Sequence, residues 1–407
     1  MEALNAAGAR RPRQKPERPT RVVYVSMLMA PNTYARVFQH AAFPPSQAAQ
    51  AFHGMLTSGL IQNGAEVVCL TAPPVSRATS ERRFLRLPTE TDAGRRFCYL
   101  PVCDVPVLKY LVTCVFAFFT ALSLCDKRTY VLCDGLNVAV SAAARLAAHL
   151  RRRPAAAVVT DLPEMLGGRM ARPCTRQIAR YDGFVFLTDA VSARLNPRGR
   201  PVLVMEGMVD ECMHARHNIP AEKHAEKVVL YAGMLHAIYG VTALTDAFSR
   251  VADPEARLVL YGAGDAVDAV KAAAAADPRI GYRGVAPRET VLREEIRATL
   301  LVNPRPSDAE YTKYSFPSKN LEYMASGTPL LTTRLPGMPA DYLPHVYAFS
   351  GETAPEMADT LSAVLALPRE TLHEKGLAAK AFVLAHKNNR AQSLRILQFL
   401  KELTSHA

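Results

Sequence analysis

The stretch 227-KVVLYAG-233 is a short apolar run closed by a glycine, and a helical pattern follows it. Apolar runs of this length bounded by turn residues read as strands. The unit recurs in RLVLYG (257–262), RIGYRG (279–284), TLLVNP (299–304) and TPLLTT (328–333), with helical spacers between. Working outward to the N-terminus, an earlier series appears: RVVYVSM (21–27), AEVVCLT (65–71), TYVLCD (129–134), AAAVVTD (155–161), GFVFLTD (183–189) and RPVLVME (200–206). Helical stretches such as 46–62 and 137–150 separate its members. Strands alternating with helices imply parallel sheets covered on both faces. Two such series predict an α/β chain of two doubly wound parallel-sheet domains. In open α/β sheets, ligands bind beyond the carboxyl ends of the strands, so the expected site is the cleft between the two domains.

The break falls in the polar, aperiodic stretch 207-GMVDECMHARHNIPAEKH-224, which reads as the hinge. The predicted organisation is a disordered basic tail (1–20), an N-terminal domain (21–212), a C-terminal domain (213–386) and a closing segment (387–407). Within the closing segment, 389-NRAQSLRILQFLKEL-403 is an amphipathic helix expected to pack across the hinge. A chain of 407 residues suits two domains, each able to bury a core.

Charge is divided unevenly. Residues 1–200 carry 27 Lys and Arg against 13 Asp and Glu, and the remainder carries 22 against 24. The positive half suits an anionic partner, a membrane surface or a lipid-linked phosphate. No aromatic-interleaved basic motif accompanies it, which sets nucleic acid aside. The opening, 1-MEALNAAGARRPRQKPERPTR-21, has no apolar stretch of the secretory kind. In 105-VPVLKYLVTCVFAFFTALSLC-125 the unbroken apolar run is shorter than the roughly 20 residues that cross a bilayer. It reads as a buried or interface-facing helix, with a core helix favoured over insertion into a membrane surface. The eight cysteines form no C-x-x-C pair and read as reduced thiols of a cytoplasmic protein. Cys212-x-His214-x-x-His217 has no second ligand pair and reads as linker.

A chemical signal lies in 312-TKYSFPSKNLEYMASGTP-329, a turn, a helix and a turn. Pro317 suits the loop entering the helix and Ser318 its N-cap. A helix start offers free N–H groups and a partial positive charge to phosphate, and Lys319 adds a full charge. Glu322, one turn further on, suits the hydroxyls of a neighbouring sugar. Diphosphate on the amides and Lys319, with ribose on Glu322, describes a nucleotide; a capped helix with solvated Lys and Glu explains the same residues. Gly233 at a strand end and Gly284-Val285 after another add backbone edges that a ligand approaches closely.

With these segments in view, the chain resembles a family-four glycosyltransferase of the GT-B fold, in a bacterial capsule or exopolysaccharide branch. The likeness is dense in YAGMLHAIYGVTALTDAF, LYGAGD, DPRIGYRGVAPRETVL, NPRPSDAE and FPSKNLEYMASGTPLLTT, and weaker in YDGFVFLTDA and VMEGMVD. It implies two Rossmann-like domains facing across a cleft, a nucleotide-diphosphate sugar donor on the C-terminal domain, and a glycan or lipid-linked acceptor on the N-terminal domain. It also implies retained anomeric configuration and no metal cofactor, and the chain has no D-x-D.

The chain departs from the family pattern at named positions. Met234 and Tyr239 stand where the family has an Arg and a Lys for the diphosphate, so Arg305, Lys313 and Lys319 are the candidate cations. Glu322 matches the second of two family glutamates. Tyr314 stands at the place of the first, and Glu310 in 306-PSDAE-310 is the candidate to fill that role across a longer loop. In 158-VVTDLPE-164, Thr160 stands where many family members have a histidine, which leaves Asp161 as the candidate cleft residue, with a loop-capping aspartate as the alternative. Asp161 and Glu310 are the catalytic candidates. A nucleotide-sugar-binding protein with a degenerate site and an epimerase on the same fold are the alternatives. The expected location is the cytoplasm, with the inner face of the cell membrane as a candidate surface.

Overall fold

The computed structural model describes residues 19–405, apart from 42–43, 77–78, 81–83, 106–107 and 167–169. The tail assigned to 1–20 lies outside the described residues up to residue 18. The first series of strands comprises β1 (Arg21–Ser26), β2 (Glu66–Thr71), β3 (Phe84–Leu85), β4 (Glu90–Asp92), β5 (Arg95–Tyr99), β6 (Val102–Cys103), β7 (Thr129–Asp134), β8 (Ala155–Val159), β9 (Gly183–Phe186) and β10 (Val202–Val204). Eight of them form one sheet in the order β10-β9-β8-β7-β1-β2-β5-β4. The second series, β11 (Lys227–Ala232), β12 (Ala256–Tyr261), β13 (Ile280–Tyr282), β14 (Leu300–Asn303), β15 (Leu330–Thr332) and β16 (Tyr347–Ala348), forms a sheet in the order β13-β12-β11-β14-β15-β16.

Both sheets start at a central strand, wind to one side and cross to the other, which is the doubly wound order. The second sheet is parallel throughout. The first is mixed, because edge strand β4 runs antiparallel to β5. That departs from the all-parallel expectation. Glu90–Asp92 and Arg95–Tyr99 are joined by the turn residues Ala93 and Gly94, both at positive φ, and so short a connection permits only a hairpin. The central strands are buried on both faces, as their unbroken apolar runs require: Val22, Val23, Tyr24 and Val25 are all 0% exposed.

The hinge differs from a single linker. The chain passes between domains at 205–213 and returns at 387–389, and the two crossings are bonded together. Val209 N–H donates to the Lys387 carbonyl at 3.0 Å, and Asn389 N–H donates to the Val209 carbonyl at 2.8 Å. The Lys387 ammonium, buried at the crossing, lies 3.2 Å from Glu206 and 3.3 Å from Asp341. Beyond it, helix Asn389–Ser405 packs into the first domain, with Ile396, Phe399, Leu400 and Leu403 joining the core beneath β1 and β2. Gly59 of helix Gln47–Gln62 lets this helix approach, since a Cβ there would stand 2.1 Å from the Asn389 carbonyl oxygen.

The apolar segment 105–125 forms helix Leu108–Leu124, of which only Ala117, Ala121 and Leu124 are buried. The core-helix expectation is corrected: Leu108, Leu111, Val115, Phe116 and Phe119 point outward, while Ala117, Ala121 and Leu124 enter the core with Phe118 and Leu122 packed against it. No helix among the described residues is long and apolar enough to cross a membrane.

Glu206 is 8% exposed, so truncating its partner strands a buried carboxylate. Lys387→Ala is expected to lower unfolding stability by about 3 kcal/mol in urea titrations; an unchanged midpoint would show that the crossings hold without this pair.

Candidate active site

A cavity of about 310 Å³ opens at the carboxyl ends of β11, β12 and β13. Its floor is Ala232–Gly233 and Tyr261–Gly262, and Val285–Ala286 forms one wall. Lys319 and Glu322 enter from helix Ser318–Ser326, and Arg288 and Glu295 from helix Arg288–Arg297. Met208, Val209, Asp210 and Met213 of the crossing and Met55 of the first domain close the far side. The cavity therefore lies between the domains.

The helix carrying Lys319 is held from below. Tyr323 is 0% exposed, and its hydroxyl accepts from Ala232 N–H at 2.8 Å and donates to the Ala232 carbonyl at 3.0 Å. Asn320, also buried, accepts from Asn303 at 2.6 Å and donates to Thr332 at 3.4 Å, tying the helix start to the ends of β14 and β15. Lys319 lies one turn before Tyr323, and its side chain crosses Gly233. A Cβ at Gly233 would stand 2.2 Å from Lys319 Cε. Gly262 is needed for a related reason, since a Cβ there would stand 1.7 Å from the Gly233 carbonyl oxygen.

Ser318 is not the N-cap. Pro317 holds that position in extended backbone, its carbonyl accepts from Asn320 N–H at 3.0 Å, and no side chain caps the helix. The first helical bond starts from Pro317, which makes Ser318 the first helical residue and leaves its hydroxyl outside the capping geometry. The helix ends on Gly327 at φ 80°, the turn expected before the next strand.

Of the residues singled out from sequence, Gly233, Val285, Lys319 and Glu322 line this one cavity. Gly284 borders it, its carbonyl accepting from Gly262 N–H at 2.8 Å. Arg305, Lys313, Ser318, Asp161 and Glu310 are not among its lining residues. The Arg305 guanidinium sits 4.6 Å from the Tyr239 ring centroid and 5.5 Å from that of Tyr311. Glu310 and Lys313 occupy the single turn Glu310–Lys313, both exposed. That loop reaches the first domain: Thr188 donates to the Lys313 carbonyl at 3.3 Å, and Arg194 donates to the Tyr314 hydroxyl at 3.3 Å and to Glu164 at 3.2 Å. Asp161 follows β8, with the Thr160 hydroxyl donating to it at 3.0 Å.

Three groups were not legible in the sequence. Glu295 is 6% exposed beside Glu322, Lys319 and Arg288. Burial lifts its carboxyl to about 7, Glu322 pushes the same way, and Lys319 and Arg288 pull back. In RETVLREEIR nothing distinguishes Glu295 from its neighbour Glu294; only packing does. In the first domain, the Tyr24 hydroxyl meets His53 Nδ1 at 2.5 Å, and His53 Nε2 lies 3.7 Å from Asp134. Burial raises the Asp134 carboxyl, and Asp161 adds to the rise while His53 opposes it. A second cavity, about 400 Å³, lies nearby at the ends of the first sheet's strands, with Met27, Pro74, Leu100, Asn137 and Cys174 among its walls.

Residues 226–366 match the family model described as Glycosyl transferases group 1. No curated protein sequence matches the chain. Among solved structures, sucrose-phosphate synthase from Thermosynechococcus elongatus is similar at 16% identity and TM-score 0.63, over 95% of this chain and 100% of that one. HepE of Anabaena in complex with UDP is similar at 12% identity and TM-score 0.63, over 94% and 100%. A UDP-forming α,α-trehalose-phosphate synthase from Burkholderia xenovorans is similar at 12% identity and TM-score 0.63, over 95% and 99%. These likenesses show the fold, which is the two-domain GT-B arrangement. The segment match lies on the domain that carries Gly233, Lys319 and Glu322, and together with the fold it supports a glycosyltransferase.

Glu295 makes stability depend on pH. Its folded pKa lies above the ordinary value of 4.5, so the folded state binds the proton more tightly. The stability this contributes is complete below about 4.5 and is lost as pH rises through about 7. Glu295→Gln is expected to remove that loss, gaining up to about 3 kcal/mol over the parent above neutral pH. Urea unfolding at acid and alkaline pH checks it; parallel pH profiles for the two proteins would contradict it.

Proposed function

We propose that the protein is a retaining glycosyltransferase that moves a sugar from a nucleotide-diphosphate sugar to a glycan or lipid-linked acceptor of a cell-surface polysaccharide. The observation that carries this reading is the passage of Lys319 across Gly233, at an uncapped helix start, with Glu322 on the same helix in the same cavity. The helix amides and Lys319 take the diphosphate. Glu322 accepts from the ribose hydroxyls, and the backbone at Gly284-Val285 meets the base. Arg288 supplies a second positive charge at the cavity. Arg305 stacks on Tyr239, the residue at the family's lysine position, and brings a cation near the place the sequence left uncharged. UDP, bound in the HepE complex and formed by the trehalose-phosphate synthase, is the first nucleotide to test.

Breaking the sugar–phosphate bond builds negative charge on the leaving diphosphate and positive character on the sugar. Lys319, Arg288 and the helix amides stabilise the first without a divalent metal. Asp161 and Glu310 stabilise the second or orient the acceptor hydroxyl. The turn that carries Glu310 meets the first domain through Thr188 and Arg194, and Arg194 also donates to Glu164, three residues after Asp161. The cavity at the ends of the first sheet takes the acceptor. The free thiols of all eight cysteines suit the cytoplasm. A nucleotide-sugar-binding protein without turnover is the second reading, favoured by the uncharged Met234 and Tyr239.

Lys319→Ala is expected to weaken nucleoside-diphosphate binding by about 1.5–3 kcal/mol with the fold intact. Gly233→Ala, which displaces the lysine, should weaken it in the same direction. Calorimetric titration with a panel of nucleoside diphosphates reads both; unchanged affinity in folded Lys319→Ala would remove the donor assignment. Glu322→Gln should lose affinity for the nucleotide but little for inorganic diphosphate. Asp161→Asn and Glu310→Gln should each cut sugar transfer while nucleotide binding holds, since contacts made in the transition state act on turnover. Normal transfer by Glu310→Gln would show that the first family glutamate has no counterpart here.

A further inference from the structure

Helix Leu108–Leu124 is apolar on its outer face as well as on the face it turns to the core. Leu108, Leu111, Val115 and Phe119 recur at helical spacing on one stripe and are 43%, 60%, 44% and 63% exposed. Phe116, 51% exposed, widens the stripe. No charged residue occurs from Tyr110 to Cys125. A surface helix normally turns polar residues outward, and a contiguous exposed apolar patch marks a contact surface. The patch continues onto helix Val138–Leu150, which packs alongside and leaves Leu146 52% and Leu150 65% exposed.

The surroundings of the patch are basic. Arg151 follows Leu150 and its Nε donates to the Leu122 carbonyl at 3.3 Å, so its guanidinium is held at the carboxyl end of the stripe. Arg152 comes next at φ 55°, a backbone conformation that favours glycine, yet a long cation stands there, exposed. Lys127 is exposed beyond the helix end. The acidic groups nearby are engaged: Asp126 pairs with Arg21 and Arg128, and Asp104 with Lys109. An apolar face edged by Arg151 and Arg152, neither in an ion pair with a described carboxylate, matches the acyl boundary and the anionic headgroups of a bilayer. Only one face of the helix is free, and at about 1.5 Å per residue its 17 residues fall short of the hydrocarbon thickness.

We propose that the exposed face of helix Leu108–Leu124, together with Leu146, Leu150, Arg151 and Arg152, docks the protein along the surface of an anionic lipid bilayer. This surface is separate from the nucleotide cavity, so the proposal does not rest on the donor reading.

The full-length protein is floated with phosphatidylcholine vesicles and with mixed phosphatidylcholine–phosphatidylglycerol vesicles, at low and high salt. The expected result is flotation with the mixed vesicles only, weakening as salt rises. Leu111→Gln with Phe119→Gln should reduce it roughly tenfold or more, and Arg151→Gln with Arg152→Gln should abolish the preference for phosphatidylglycerol. Thermal melts and nucleoside-diphosphate titrations of the same variants should match the parent, which keeps a failure here distinct from a failure of the donor site. If the apolar pair does not fold, Leu111→Gln alone and the arginine pair carry the test. No flotation of the parent, or flotation indifferent to lipid charge and to both sets of substitutions, overturns the proposal. A parent that dimerises in sedimentation velocity through Leu111 and Phe119 without binding vesicles also overturns it and assigns the face to a second copy of the chain.

Discussion

Tyr323 reaches from the buried side of its helix to the last residue of β11, where its hydroxyl bonds both backbone groups of Ala232. A strand end normally presents these groups to solvent or to a neighbouring strand. Here they are taken by a side chain that belongs to the helix crossing above them. This sets the height of helix Ser318–Ser326 over the sheet, and with it the path of Lys319, one turn earlier, across Gly233. A methyl group at residue 233 would stand in that path. Strand end, glycine, tyrosine and lysine thus form one geometric unit, and the cavity takes its shape from it.

The cavity also depends on how the two domains are joined. Two chain crossings, bonded edge to edge, share a buried Lys387–Glu206 pair. Such a joint can bend without separating, because the bonds between the crossings move as one piece. Elsewhere the loop around Tyr314 meets the first domain where Thr188 donates to the Lys313 carbonyl and Arg194 to the Tyr314 hydroxyl. These contacts are few and partly exposed, the kind that yields when domains open. Opening and closing of a cleft that excludes water is a common requirement for group transfer.

Electrostatics divide the molecule in a similar way. Lys319 and Arg288 face Glu295 and Glu322 within one cavity, and burial adds its own cost to the carboxyl of Glu295. An anionic ligand entering there strengthens the hold of the cations and opposes ionisation of Glu295, so binding and protonation are linked. The positive excess lies elsewhere, in the first 200 residues, and part of it borders the apolar face of helix Leu108–Leu124.

The alternation of apolar runs and helical spacers was enough to predict two doubly wound sheets, because strands buried on both faces must be apolar along their whole length. The strand ends and helix start were legible for a related reason: the same periodicity places Gly233 at the end of a strand and Lys319 and Glu322 at the start of a helix, and the structure brings all three to one cavity. What sequence could not show depends on contacts between distant segments. Edge strand β4 is too short and too polar to announce itself. The return crossing at 387–389 exists only because helix Asn389–Ser405 finds its apolar partners more than 300 residues earlier, at Leu56 and its neighbours. Glu295 became buried, and Leu108, Leu111, Val115, Phe116 and Phe119 became exposed, through packing that periodicity does not encode. A helical pattern states which residues share a face, and the tertiary structure alone decides which face meets the core.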